Sequence, residues 1–117
     1  MNSCSFVGRL VRDPKLVELD RTHVVEFCLA VNEYRRLKDG SKAKQVDYFD
    51  FEAWDSGAKA IAKHCKEGDE LAVSATARQF CWNDDDGKRM SKVKFRVSNF
   101  NLFPKHEEDF NEKQVAG

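Results

Sequence analysis

The sequence predicts an all-β protein, a five-stranded Greek-key barrel with one short helix between the third and fourth strands. Three observations carry that prediction: five segments alternate apolar and polar residues with period two, Gly-containing turns separate two pairs of them, and a single segment has helical spacing. At 117 residues the chain has room for one core and hence one domain. A hydrophobic content of 41% beside 34% charged residues is that of a soluble globular chain. No apolar run approaches the roughly 20 residues of a membrane span. The start, "MNSCSFVGRLVRD", carries a charge where the apolar centre of a secretory signal would continue. A cytoplasmic protein is expected.

The strands are predicted at 4–11, 23–35, 46–54, 70–82 and 89–103. In the second, Val25, Phe27, Leu29 and Val31 alternate with Glu26, Cys28, Ala30 and Asn32, so one face is core and the other small or polar. "LKDGSK" supplies the turn into the third strand, "VDYFDFEAWD", where Phe49, Phe51 and Ala53 share one face and Tyr48, Asp50, Glu52 and Trp54 the other. The first of these faces is a core. The second bears two rings and two carboxylates, which a buried surface tolerates only if they are paired. "DSGAKAIAKHCKEGD" then sets Ala58, Ile61, Ala62 and Cys65 at helical spacing, with Asp55 or Ser56 as N-cap and Gly68 as the stop. In the fourth strand Leu71, Val73, Ala75 and Ala77 oppose Arg78, Phe80 and Trp82, and "NDDDGK" makes a hairpin through Asp86 and Gly87. In the fifth, Lys92, Lys94 and Arg96 alternate with Val93, Phe95 and Val97. A helix plugging the barrel after its third strand is the order of an OB-type Greek-key barrel. Pro104 ends the last strand, so 1–103 form the barrel domain and 104–117 a short, acidic, mobile tail.

The formal net charge is +0, but its distribution is uneven. Arg35, Arg36, Lys38, Lys42 and Lys44 face only Asp39 within 35–44, while the tail carries Glu107, Glu108, Asp109 and Glu112. Next to the basic stretch stands Tyr34. Parity therefore gathers Tyr34, Tyr48, Trp54, Phe80 and Trp82 with cations on one usable surface. Rings interleaved with cations suit an unpaired nucleic-acid strand, because bases stack on flat side chains at about 1–3 kcal/mol each while Lys and Arg follow the phosphates. A duplex hides those base faces, and neither a recognition helix nor a base-reading motif is present.

Catalysis finds little support. Cys4, Cys28, Cys65 and Cys81 are widely spaced, with no CxxC pair, and read as free thiols without zinc. His23, His64 and His106 lie apart, giving no nucleophile and base pair. Asp84, Asp85 and Asp86 invite a Mg²⁺ site, but consecutive residues of a tight turn diverge, so a turn is the better reading. No cofactor or metal is expected, and no enzyme activity.

Over 2–103 the chain resembles bacterial-type single-stranded DNA-binding proteins of bacteria, phages and plasmids. The matching pieces are "FVGRLVRDPKL", "VVEFCLAVNEYRR", "DYFDFEAWDSGAKAIAKHCKEGDELAVSATARQFCWNDDDGK" and "VSNFNLF", in that order and spacing. The resemblance implies base stacking at Tyr34, Tyr48, Trp54 and Trp82, and phosphate contacts near Arg9, Arg78 and the 35–44 stretch. It also implies a dimer or tetramer acting in DNA replication, recombination and repair. Family members commonly end in an acidic tip closing on Phe, which recruits other genome-maintenance proteins. Here Glu107, Glu108, Asp109 and Phe110 look like part of one but are not terminal, so recruitment through them is not expected and a phage or mobile-element copy is favoured. Asp50 and Glu52 stand where the family more often has neutral or basic groups, so replacing both with Asn is expected to tighten binding. The competing readings are a protein-interaction OB module of replication or primosome assembly, an RNA-binding OB domain and, last, a metal-dependent nuclease.

Overall fold

The computed structural model describes residues 1–103, so the tail expectation for 104–117 lies outside the described residues. Its elements run β1 (Cys4–Leu10), β2 (Lys15–Glu18), β3 (His23–Arg36), β4 (Lys42–Trp54), α1 (Asp55–His64), β5 (Glu70–Asn83) and β6 (Arg89–Phe103). The five expected strands are β1, β3, β4, β5 and β6. They close in the order β1-β5-β6-β4-β3, with β3 returning to β1 through Arg9 opposite Ala30 and Leu10 opposite Leu29. All these pairings are antiparallel except β4 with β6, which run parallel at Phe51 with Phe95 and Glu52 with Arg96. The expected barrel is thus present. No described helix is long and apolar enough to cross a membrane.

β2 is an addition to the expected set. It pairs with β3 from Lys15 opposite Glu26 to Glu18 opposite His23, on the edge of β3 that β1 leaves free. Four residues are too few for an alternation to stand out, and Leu16 and Glu18 are both exposed, so no apolar stripe marks the strand.

The interior is aromatic and aliphatic. Phe51, Leu29, Ile61, Leu71 and Val25 are fully enclosed, each contributing about 1.5–3 kcal/mol by leaving water. Phe51 stacks on Phe27 at 5.2 Å, and Phe6, Phe49 and Phe95 meet it or one another at centroid distances of 4.9–5.6 Å. Rings offset or tilted at these spacings add to simple area burial. The close approach of β1 to β3 depends on Gly8, where a Cβ would stand 2.7 Å from the Ala30 carbonyl oxygen. β6 departs from strict alternation at Ser98, where the register against β5 slips between Ser74 and Ala75 and the Ser98 hydroxyl donates to the Ser74 carbonyl at 3.0 Å. That bulge lets Phe100 and Leu102 join the core that Phe95 and Val97 approach with the opposite parity.

α1 inserts Ala58 and Ile61 into the core. Its N-cap is Trp54, in extended conformation and without a side-chain cap bond, where Asp55 or Ser56 was expected. Asp55 instead adopts φ 56° and accepts a hydrogen bond from the Thr22 hydroxyl, so its carboxylate ties the helix start to the β2–β3 turn. The helix ends at His64, before the expected stop at Gly68. Asp69 draws the chain out of the helix by accepting from the Lys66 backbone N–H at 2.9 Å, and Gly68 donates its N–H to the Leu10 carbonyl at 2.8 Å.

Candidate nucleic-acid interface

Directly paired residues on neighbouring strands project to the same side of a sheet, so the register decides which side chains meet. On β3 and β4, Tyr34 lies opposite Lys44, Arg36 opposite Lys42, Ala30 opposite Tyr48, Cys28 opposite Asp50 and Val24 opposite Trp54. The parallel step from Glu52 to Arg96 carries the same side on to β6. From there Arg96 opposes Thr76, Lys94 opposes Arg78, Lys92 opposes Phe80 and Met90 opposes Trp82. Arg9 joins through its pairing with Ala30. One continuous outer face therefore brings together Arg9, Tyr34, Arg36, Lys42, Lys44, Tyr48, Trp54, Arg78, Phe80 and Trp82. Arg35 pairs with Ala43 on the other side of the same arm, and Lys38 lies in the turn beyond it.

The rings differ in how free they are. Tyr34 and Tyr48 are 65% and 64% exposed and Trp82 is 47% exposed, so their faces are available to a ligand. Trp54 is half-buried: the Arg96 guanidinium carbon lies 5.4 Å from its ring centre, and its indole Nε1 is enclosed with no hydrogen-bond partner among the described residues. Phe80 carries the Lys94 ammonium 5.3 Å from its centroid. Cations held over rings in this way are already placed beside any base that stacks there.

The two carboxylates between Tyr48 and Trp54 are not simply solvated. Glu52 is only 6% exposed, and its Oε1 accepts from Arg96 Nε at 3.1 Å. Asp50 is paired with Lys92 at 2.6 Å, a contact that, through hydrogen bonding above all, holds its carboxyl below the ordinary carboxylate range. The Cys28 thiol, opposite Asp50 in the ladder, is raised first by burial and then by the Asp50 charge. The parity reading put both acids on a wet face; the register pairs each with a β6 cation, because the parallel β4–β6 contact joins strands distant in sequence.

The hairpin ends are ordered by their own side chains. Asp39 accepts from the Ser41 hydroxyl at 2.6 Å and from its N–H at 2.9 Å, which lowers the Asp39 carboxyl. Asp84 Oδ1 accepts from the backbone N–H of Asp86 at 3.0 Å and of Lys88 at 2.8 Å, and Gly87 takes φ 81°. Asp84 is thus a turn residue. Among the described residues no three His, Cys, Asp or Glu side chains gather as metal ligands.

Sequence reasoning did not assign Arg12 and Lys15. They border a groove of about 300 Å³ with Lys92, Lys94 and Asp50. Arg12 stands in the bend after β1 and Lys15 opens β2, the strand the alternation did not reveal, so nothing in the pattern tied them to this face.

Fold and face together define an OB-type barrel that presents an aromatic and cationic sheet surface. The chain belongs to the single-strand binding protein family, whose model matches residues 1–103. It is 31% identical over 104 residues to a single-stranded DNA-binding protein of Treponema pallidum, covering 87% of this chain and 57% of that protein. It is 32% identical over 103 residues to one of Aquifex aeolicus, covering 87% and 69%. Among solved structures, the Plasmodium falciparum SSB complex with ssDNA superposes with a TM-score of 0.78 at 18% identity, over 89% of this chain and 94% of that one. A deletion mutant of the Thermus aquaticus single-stranded DNA binding protein gives 0.78 at 16%, over 90% and 51%. At those identities the structural likeness speaks for the fold.

Proposed function

We propose that this protein binds single-stranded DNA without sequence preference, coating strands exposed during replication, recombination and repair. The observation that carries the reading is the single outer face on which Tyr34, Tyr48, Trp54 and Trp82 alternate with Lys and Arg. Bases stack on the rings, and phosphates pass the cations of the β3–β4 arm and of β6, so binding is a sum of stacking and charge neutralisation. No covalent step is involved, and the protein is a binding protein rather than an enzyme, acting in the cytoplasm where the DNA lies. Membership of the single-strand binding protein family supports the same reading.

Assembly into a homo-oligomer belongs to this proposal. Among the described residues, 4–8 of β1 pair with β5 alone, since β3 meets β1 only at Arg9 and Leu10. Val7, on that stretch, is 56% exposed. A free strand edge beside an exposed apolar side chain is suited to another copy of the chain.

The test is titration with dT oligomers of increasing length, followed by tryptophan fluorescence and by mass in solution. Quenching that saturates, weakens as salt rises and is not matched by a duplex of equal length is expected. No retention of a single strand at low salt would sink the proposal.

A further inference from the structure

The cations beside Asp50 come from three separate segments. Arg12 follows β1, Lys15 opens β2, and Lys92 and Lys94 sit one above the other on β6, all bordering the groove of about 300 Å³. Ligand pockets generally span about 300–1,000 Å³, so this one suits a phosphate and its sugar. Its acidic lining residues are Asp13, Glu26 and Asp50. Asp13 is turned to the backbone, accepting from the Glu67 N–H at 2.8 Å, and Glu26 lies opposite Lys15. Among the described residues Asp50 alone of these three forms an ion pair inside the groove, to Lys92 at 2.6 Å. Among the described residues Arg12, Lys15 and Lys94 make no ion pair. The groove adjoins the stacking rings on both sides, since Tyr48 precedes Asp50 by two positions on β4 and Phe80 lies opposite Lys92.

We propose that this groove is a phosphodiester site on the path of the bound strand, and that Asp50 occupies Lys92 until a backbone phosphate displaces it. The proposal rests on the single-stranded DNA reading and names a contact within it. A phosphodiester carries the same single charge as the carboxylate, so it takes the place of Asp50 at Lys92 charge for charge and leaves the freed carboxylate to a cation from solution. It gains Lys15 and Lys94 in addition, which form no ion pair with Asp50, and draws closer to Arg12, whose charge acts on Asp50 without a direct ion pair. Lys92 accordingly adds little to the salt dependence of the wild-type protein, because the carboxylate it leaves recruits a cation from solution. Arg12 and Lys15, which form no ion pair among the described residues, contribute more.

The test is the slope of log affinity against log salt for a dT oligomer, with binding read by anisotropy and folding of each variant checked by thermal melting. For single strands each phosphate contact adds about 0.7 to the slope. The Arg12→Gln and Lys15→Gln double variant should flatten the slope by about 1.4, twice that value. Asp50→Asn should tighten binding at low salt and steepen the slope by up to about 0.7. Combining Asp50→Asn with Lys92→Gln should abolish that gain. An unchanged slope in the Arg12 and Lys15 double variant, or an Asp50→Asn gain that survives loss of Lys92, overturns the proposal while leaving the wild-type protein's binding intact. A wild-type protein that retains no oligomer overturns the single-stranded DNA reading itself, and the groove with it.

Discussion

Replacing Trp82 by Ala separates binding from folding more cleanly than replacing Trp54, the other tryptophan on the face. Trp82 is 47% exposed, near the end of β5 opposite Met90, and lies outside the enclosed core. Its removal should change stability by no more than about 0.5 kcal/mol, as for surface substitutions in general. The lost stack is worth about 1–3 kcal/mol, which at about 1.4 kcal/mol per tenfold is roughly a 5- to 140-fold weaker dissociation constant. The assay is anisotropy of a dye-labelled dT oligomer at one fixed low salt concentration, so that the readout does not depend on the tryptophan removed. Trp54→Ala is the contrasting variant: its ring packs with Arg96 and its Nε1 is enclosed, so both affinity and melting temperature should fall. If Trp82→Ala melts like the parent and binds within twofold of it, the stacking assignment is wrong at this position.

Other expectations follow from the same geometry. Gly8→Ala places a methyl 2.7 Å from the Ala30 carbonyl oxygen and should cost about 1–3 kcal/mol in urea unfolding, the usual penalty of overpacking. Of the four thiols, Cys81 is exposed and should react first with a thiol reagent. Cys65, pushed up to about 11 mainly by burial, and buried Cys28 should react only on unfolding. The Asp50 carboxyl is depressed on folding, so its contribution to stability is full above its unfolded value near 3.8 and is lost as pH falls through the lower folded value. Asp50→Asn should therefore flatten that acid limb of the stability curve, and an identical limb in both proteins would contradict the pairing with Lys92. Glu52→Gln should lower the melting temperature, because it leaves Arg96 without the carboxylate that fixes it over Trp54.

That last expectation revises what alternation alone suggested. From the sequence, Asp50 and Glu52 are equivalent, both on the face opposite Phe49 and Phe51, and changing both to Asn looks like a uniform gain in binding. In the fold they divide, Asp50 holding a cation on a groove and Glu52 buried beneath Arg96 as part of the sheet's own packing. The difference arises from the parallel contact of β4 with β6, a pairing across more than 40 positions that period-two patterning does not encode. Local parity did suffice for the rings, since Tyr34, Tyr48, Trp54, Phe80 and Trp82 each follow from alternation within one strand. It failed at β2, whose four residues carry no apolar stripe, and with that strand Lys15 and its neighbour Arg12 went unseen. It failed again at Ser98, where a bulge exchanges the inward and outward positions of β6.

Photo-crosslinking of a dT oligomer bearing halogenated uracils, with the attached peptides identified by mass spectrometry, tests the central claim most directly, because it reports which surface the bases touch. The account predicts attachment at peptides containing Tyr34, Tyr48, Trp54 and Trp82. Attachment centred instead on Val7, Ala72, Asn99 and Asn101, which line a separate depression across β1, β5 and β6, would contradict it.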